Sequence, residues 1–490
     1  MKLKQRGLSV WQALLGRTSF CAVLLCVTLL RLISDDAYWP ILQNIMYPWA
    51  AALAFPLLRL EHVPKRRGMI FLFGFFLWYI VICYLNRQYS FYKHIYDWYM
   101  LLFAMFLFYP QDSAIPRATL LARVRVVLYV FLTFWSAMCV TALSAAVLHV
   151  RFTTPSSFFG IEHARLFVSC HPNTAGYLCV VASFFAFFLA GQEPRIIRVI
   201  LGIDVGLQYV CLALTDSRTS IAAFCLGILL LTFSDIWRLF RAAPLALRRV
   251  LAVLAACVLA ITCFAGTRGV FALYARLPVA MRQDVPAAIA SPQQEVQPIP
   301  SADSSSSADE SVVSPETATP TAILNPVAPP AVPDPPEPRA LTEDNEGLNG
   351  RVGMWVGAMQ MLRDHPQKIL TGVTRIGVWE AVIPYSSNLY SVGSLHNAYL
   401  YTFVSCGLPG ILLLIGFAIV IIPRAWKLLF GDLGKARRGL RALPVILCVL
   451  CITSFTEDLL FLTNHISNML FFFAAGLTMY FTDPEHLNEA

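Results

Sequence analysis

Apolar runs long enough to cross a lipid bilayer recur along this chain, and they constrain its fold more than any other feature. A membrane helix needs roughly 20 mostly apolar residues. In lipid every backbone polar group must find a partner inside the protein, so such runs become helices. About twelve candidates are visible, at 18–34, 41–58, 68–85, 95–110, 126–148, 173–190, 196–214, 219–237, 250–265, 396–422, 442–456 and 466–482. With 57% hydrophobic and 13% charged residues, the 490-residue chain is too apolar for a soluble globule. The expectation is an all-α polytopic membrane protein.

Lys and Arg in short connections are retained on the cytoplasmic side. The clusters at Lys2, Lys4, Arg6 and Arg17, then Arg59 and Lys65, Arg117 and Arg123, Arg195 and Arg198, Arg238 and Arg248, and Arg424 to Arg441 all fall on one side if the twelve spans stand. Both termini are then cytoplasmic. Topology therefore accounts for the net charge of +8, and no nucleic-acid signal is present. The basic first 17 residues precede an apolar run without a small-residue cleavage site, so a retained first helix is expected. The thirteen cysteines lie mostly inside apolar runs, where a thiol behaves as a small apolar group. Cys448 and Cys451 spell CxxC but lack a second pair, and no disulfide framework or metal site is expected from them.

The spans fall into two blocks, nine within 1–265 and three within 396–482, followed by a short cytoplasmic tail at 483–490. Between the blocks, 266–395 forms one large loop on the non-cytoplasmic face. Its 278–340 part is rich in Pro, Ala, Ser and acidic residues, with no Lys or Arg between Arg282 and Arg339. That composition cannot bury enough apolar surface to fold, so a disordered tether is expected. Residues 349–394 recover Trp355, Met359, Leu362 and Trp379, with helical spacing over 351–370. This predicts a short amphipathic helix on or near the membrane.

The loop ends at SLHNAYLYTFVSCGLPG (394–410), where His396 stands at the mouth of an apolar run. Histidine titrates near neutral pH and can accept a proton from a hydroxyl, although a lone histidine there is equally compatible with capping a membrane helix. Asn397 follows, then nine residues, then Gly407 and Gly410, which open the backbone for close packing. The spelling H-N-x9-G-x-x-G resembles the signature of the bacterial O-antigen ligase family, within a superfamily that includes O-antigen polymerases and protein O-oligosaccharyltransferases. The resemblance implies a GT-C-like membrane glycosyltransferase with its large loop in the periplasm. Arg218, in the turn LTDSRTS, resembles the superfamily's lone turn arginine, implied to bind a pyrophosphate through its rigid donor fork. Arg351, in GRVGMW, resembles a loop arginine that precedes a tryptophan and the step His365-Pro366. Each is also compatible with a solvated or interfacial arginine. Arg375 is a further, glycine-flanked candidate for phosphate binding. His171 to Gly176, HPNTAG, resembles another superfamily element in which Asn173 and Gly176 shape a helix start.

Acidic pairs stand at Asp35-Asp36 and Glu457-Asp458. The first lacks a recognisable third ligand for a hard cation, and the second is an alternative base or a contact for acceptor hydroxyls. The resemblance implies that no metal or other cofactor is needed. His396 is then the base, Arg218, Arg351, Arg375 and Asn397 bind substrate, and Gly407 and Gly410 shape the site. The implied donor is an undecaprenyl-diphosphate-linked glycan, the implied acceptor is lipid A–core, and the implied location is the bacterial inner membrane, among membrane lipids. Polymerase and protein-glycosylating activities share the motif. A transporter would also show about twelve helices, though no duplication of halves is visible.

Overall fold

The computed structural model describes residues 16–57, 68–89, 91–109, 115–148, 150–155, 157–162, 165–239, 244–275, 348–386, 394–431, 438–462 and 466–483. The basic N-terminal segment, the Pro/Ser-rich insert and the tail after residue 483 lie outside them.

Helix occupies each apolar run. The first forms α1 (Arg17–Arg31). The second is bent, with α2 (Asp35–Ile41) and α3 (Tyr47–Leu57) joined through a π turn at Leu42–Met46. Pro40 inside α2 cannot donate to the helical ladder, which accounts for irregular winding just beyond it. Ser34 starts α2 by accepting from the Ala37 N–H at 3.3 Å. Then follow α4 (Met69–Leu85), α5 (Phe91–Leu102) and α6 (Arg117–Leu148). The central helices are α7 (Pro172–Ala190), α8 (Arg195–Thr215), α9 (Arg218–Leu239) and α10 (Leu245–Ala275). Among the described residues six helices are long and apolar enough to cross a membrane, and four shorter apolar ones accompany them. The protein is a helical membrane protein.

Burial sorts these helices. Most of α7 is buried, and it packs against α8, α9 and α15 (Ala442–Thr453). The last helix, α16 (Ile466–Phe481), is buried throughout. By contrast α10 turns Val253, Leu254, Val258 and Ile261 outward, the expected face toward lipid. Gly176 permits one such close contact, since a Cβ there would lie 2.7 Å from Ser220 Oγ and 2.9 Å from Ser217 Cβ at the start of α9. All thirteen cysteines are free thiols.

Two features depart from expectation. The link between α6 and α7 is a small antiparallel sheet of β1 (Phe152–Thr153), β2 (Phe158–Glu162) and β3 (Arg165–Val168), not an irregular loop in an all-helical chain. Its register pairs Phe159 with Val168 and Glu162 with Arg165. The run with Phe158, Phe159, Phe167 and Val168 is β-prone, and the strands it forms pack against α6. The loop after the insert also holds more than the one short amphipathic helix expected on or near the membrane over 351–370. It folds as α11 (Leu348–Asp364), α12 (Gln367–Thr371), α13 (Thr374–Val382) and a 3-10 turn at Ile383–Tyr385. Met354, Ala358, Met361, Leu362, Val373, Val378 and Val382 form one apolar face, a separate core with Leu395 and Val404, while Val352 and Val356 of α11 stay exposed. Met359 and Trp379, which the helical spacing grouped with this face, stay partly exposed.

Candidate functional site

The site is assembled where that small core docks on α14 (Ala398–Phe430). Gly407 interrupts α14 with φ 65° and ψ −174°, and a Cβ there would fall 2.2 Å from the Leu370 carbonyl oxygen. Gly372, at φ 62°, makes the reciprocal approach, since its Cβ would lie 2.3 Å from the Ser405 oxygen. Only glycine fits either position. The Val373 N–H then donates to Val404 O at 2.9 Å, and Trp78 Nε1 donates to the Cys406 carbonyl at 2.8 Å beside the kink. Gly407 is therefore a seam between loop and helix. Gly410 stands one turn on, where a Cβ would meet Cys406 Cβ at 2.4 Å and contact Phe75.

His396 sits just before α14 with φ 47°, a left-handed backbone that non-glycine residues seldom adopt and that surrounding contacts must hold. Its N–H donates to Ser394 Oγ at 3.0 Å, and Ser394 in turn donates to Asp458. The Asn397 N–H donates to Asp458 Oδ1 at 2.8 Å, and the Ala398 N–H to Ser454 O at 2.9 Å. Trp355 Nε1 closes the arrangement by donating to Leu395 O at 2.7 Å. The Asn397 side-chain oxygen accepts from the N–H groups of Tyr399 (3.1 Å) and Leu400 (3.0 Å). Asn397 is thus an N-cap of α14, and its oxygen is committed to the helix instead of to a substrate.

The imidazole meets a carboxylate. His396 Nδ1 lies 3.2 Å from Glu457 Oε2, while Nε2 has no hydrogen-bond partner among the described residues, and the ring is 26% exposed. With Nδ1–H donating to Glu457, Nε2 is left as the acceptor nitrogen. Arg351 donates to Glu457 Oε1 at 3.2 Å and to the Thr456 carbonyl. Asn173 Nδ2 donates to the same Oε1 at 3.0 Å. Behind it Arg165, at the start of β3, donates to Asn173 Oδ1 (2.8 Å) and to Thr215 O (2.9 Å). Burial works to raise the Glu457 pKa, but the hydrogen bond from His396 and the charge of Arg351 outweigh it and hold the carboxyl below its ordinary value. Asp458 is shifted the other way, because burial exceeds the stabilisation from Ser394, His396 and the Asn397 N–H. Adjacent carboxyl groups are thereby separated in character: Glu457 is the anion facing the imidazole, and Asp458 braces the backbone beneath it.

The arginines singled out in the sequence are not gathered into one cluster. Arg351 joins His396, with both terminal nitrogens engaged. Arg218 is exposed at the start of α9 and, among the described residues, has no side-chain hydrogen bond or ion pair. It lines a cavity of about 550 Å³ with Arg268 and the apolar side chains of Ile221, Ala222, Ile261 and Phe264. Asp216 pairs with Arg268 at 3.5 Å, not with Arg218. Arg375 opens α13 and is paired through Nε to Asp97 at 2.5 Å. Burial opposes its charge, but Asp97 and the neighbouring tyrosines hold its pKa above the ordinary arginine value. Asp35 pairs with Arg31 at 3.3 Å, and no three metal-type side chains converge among the described residues.

A family model described as O-antigen ligase matches residues 205–415. Over that stretch the chain is similar to the O-antigen ligase family. No curated protein matches it. The match supports the O-antigen ligase and polymerase superfamily, whose members are glycosyl-transferring membrane enzymes.

The span matching the O-antigen ligase family contains Arg218, Arg351, Arg375, His396, Gly407 and Gly410. Glu457, Asn173, Arg165 and Asp97 lie outside it, and sequence reasoning underrated or missed them. Glu457 was one of two weak acidic pairs, and Asn173 read as a helix-start residue. His171 holds that start instead, its Nδ1 accepting from the Asn173 N–H at 3.2 Å, which frees the Asn173 side chain for Glu457. The available signal was an acidic pair at the end of an apolar run, placed at the same membrane level as His396.

Proposed function

We propose that this protein is an O-antigen ligase, an inverting glycosyltransferase that moves O-antigen from undecaprenyl diphosphate to lipid A–core at the periplasmic face of the bacterial inner membrane. The observation that carries the reading is the His396–Glu457 pair, which leaves Nε2 as an open proton acceptor. An acceptor hydroxyl oxygen attacks the anomeric carbon of the donor as its proton passes to Nε2. The bond from that carbon to the diphosphate oxygen breaks, and undecaprenyl diphosphate leaves with the electron pair. Glu457 steadies the imidazolium, with Arg351 and Asn173 holding the carboxylate in place.

The Arg218–Arg268 cavity suits the donor, because guanidinium groups beside apolar walls match a diphosphate attached to an isoprenoid. Guanidinium charge takes the place of a divalent ion at the departing diphosphate, so transfer proceeds in excess EDTA. In this topology twelve helices cross the membrane, both termini are cytoplasmic, and His396 faces the periplasm. Deletion of the gene followed by lipopolysaccharide gel analysis tests the reading. Loss of all O-antigen-bearing species with accumulation of the lipid-linked glycan is expected. Capping by a single repeat would make the enzyme a polymerase, and normal lipopolysaccharide with an unglycosylated protein would make it a protein O-oligosaccharyltransferase.

A further inference from the structure

A second cavity, of about 570 Å³, adjoins the His396 cluster through Ser394 and Asp458 and is also lined by Arg375, Arg31, Tyr401 and His171. Arg375 is fixed on several sides. Its Nε donates to Asp97 at 2.5 Å, a carboxylate only 2% exposed that also accepts from the Tyr79 hydroxyl at 3.0 Å. The Arg375 N–H donates to the Tyr79 oxygen at 3.3 Å, and its carbonyl accepts from the Tyr401 hydroxyl at 3.0 Å. Thr374, immediately before it, is held at φ 69°. Beyond Asp97 the Arg375 guanidinium has the Tyr401 hydroxyl as its side-chain neighbour, and the side chain is 25% exposed in the cavity wall. A guanidinium clamped through Nε offers its far edge as a fixed two-nitrogen fork, which matches the paired oxygens of a phosphate or carboxylate.

The surrounding chemistry separates this cavity from the Arg218–Arg268 one. That one has apolar walls, whereas this one adds hydroxyls, carboxylates and aromatic faces, the groups that pair with sugar hydroxyls and stack on sugar rings. It is also the cavity that reaches Ser394, the residue holding the His396 backbone. We propose that this cavity is the acceptor subsite, taking a core sugar that carries a phosphate or carboxylate, with Arg375 receiving that anion and Asp97 acting as its positioning residue. The inference rests on the ligase reading above.

The test uses the full-length enzyme in detergent or nanodiscs, with rough lipopolysaccharide lacking O-antigen as acceptor. Arg375→Lys keeps the charge but loses the fork, and Asp97→Asn loosens it. Each should raise the acceptor KM about tenfold, while the donor KM and the single-turnover rate at saturating acceptor stay near wild type. Wild-type enzyme gives a readout independent of folding in the variants. Acceptor stripped of phosphate with hydrofluoric acid, or acceptor with reduced carboxyl groups, should show the same rise in KM, and whichever does identifies the anion. An unchanged KM with both treated acceptors, or variants whose defect lies in donor KM or turnover alone, would overturn the subsite. Wild-type enzyme that transfers nothing to rough lipopolysaccharide would instead overturn the ligase reading itself.

Discussion

His396 and the Arg218–Arg268 cavity fall in the same matched stretch, and their surroundings are built in opposite ways. Around His396 the polar groups are matched in place: Glu457 meets His396, Arg351 and Asn173, and Asp458 holds Ser394 and the Asn397 N–H. Nε2 of His396 is left open. At the other cavity, Arg218 has no such partner among the described residues, and mostly apolar side chains line the space it shares with Arg268. A saturated network fixes geometry before substrate arrives, which is what proton transfer in a transition state requires. An unmatched guanidinium beside apolar walls awaits an anion that the ligand must supply. The two are connected, because Arg165 bonds both Asn173 in the first network and Thr215, three residues before Arg218. On the proposed reading, chemistry and donor capture fall to separate side chains, and mutation should separate them.

The largest expected effect is at the base. His396→Ala should lose roughly 10²–10⁴-fold in single-turnover rate while donor affinity holds, since a general base acts mainly in the transition state. A variant defective only in donor affinity would erase the distinction between the two regions. At the other cavity, Arg218→Ala should weaken donor binding roughly 10- to 100-fold, the worth of a charge-assisted phosphate contact. Arg218→Lys should recover little of it, because a point charge does not reproduce a planar fork. Titration with the lipid diphosphate decides this, and full recovery by Lys would reduce Arg218 to a source of charge. Glu457→Gln keeps the shape but removes the anion, and should lower turnover by about 10-fold or more without changing donor affinity, as expected for a group that orients the base. Turnover at the wild-type level would make Glu457 structural. The smallest effect concerns the insert, whose composition predicts a tether: deletion of residues 287–333 should leave transfer close to the full-length rate. Abolished transfer at normal membrane abundance would show that the segment completes a site.

By itself the sequence determined the membrane character of this protein, the positions of its helices and the importance of the 394–410 stretch. Those properties are local: a run of apolar residues becomes a helix in lipid wherever it occurs, and H-N-x9-G-x-x-G is contiguous. Asn397 shows the limit of that legibility. Its place beside His396 marked it as a substrate contact, but its own N-cap geometry, two and three residues on, takes the oxygen. Only the tertiary structure decided what His396 faces. Its partner Glu457 lies 61 residues away, at the far end of α15, and Asn173 reaches that carboxylate across 284 residues from the start of α7. The pairing of Arg375 with Asp97 spans 278 residues. No local pattern encodes which carboxylate meets which cation, because several acidic side chains lie near helix ends and each must be paired when desolvated. Packing makes the choice, through contacts such as the Gly372–Gly407 seam that carries the loop core onto α14 and sets His396 opposite Glu457.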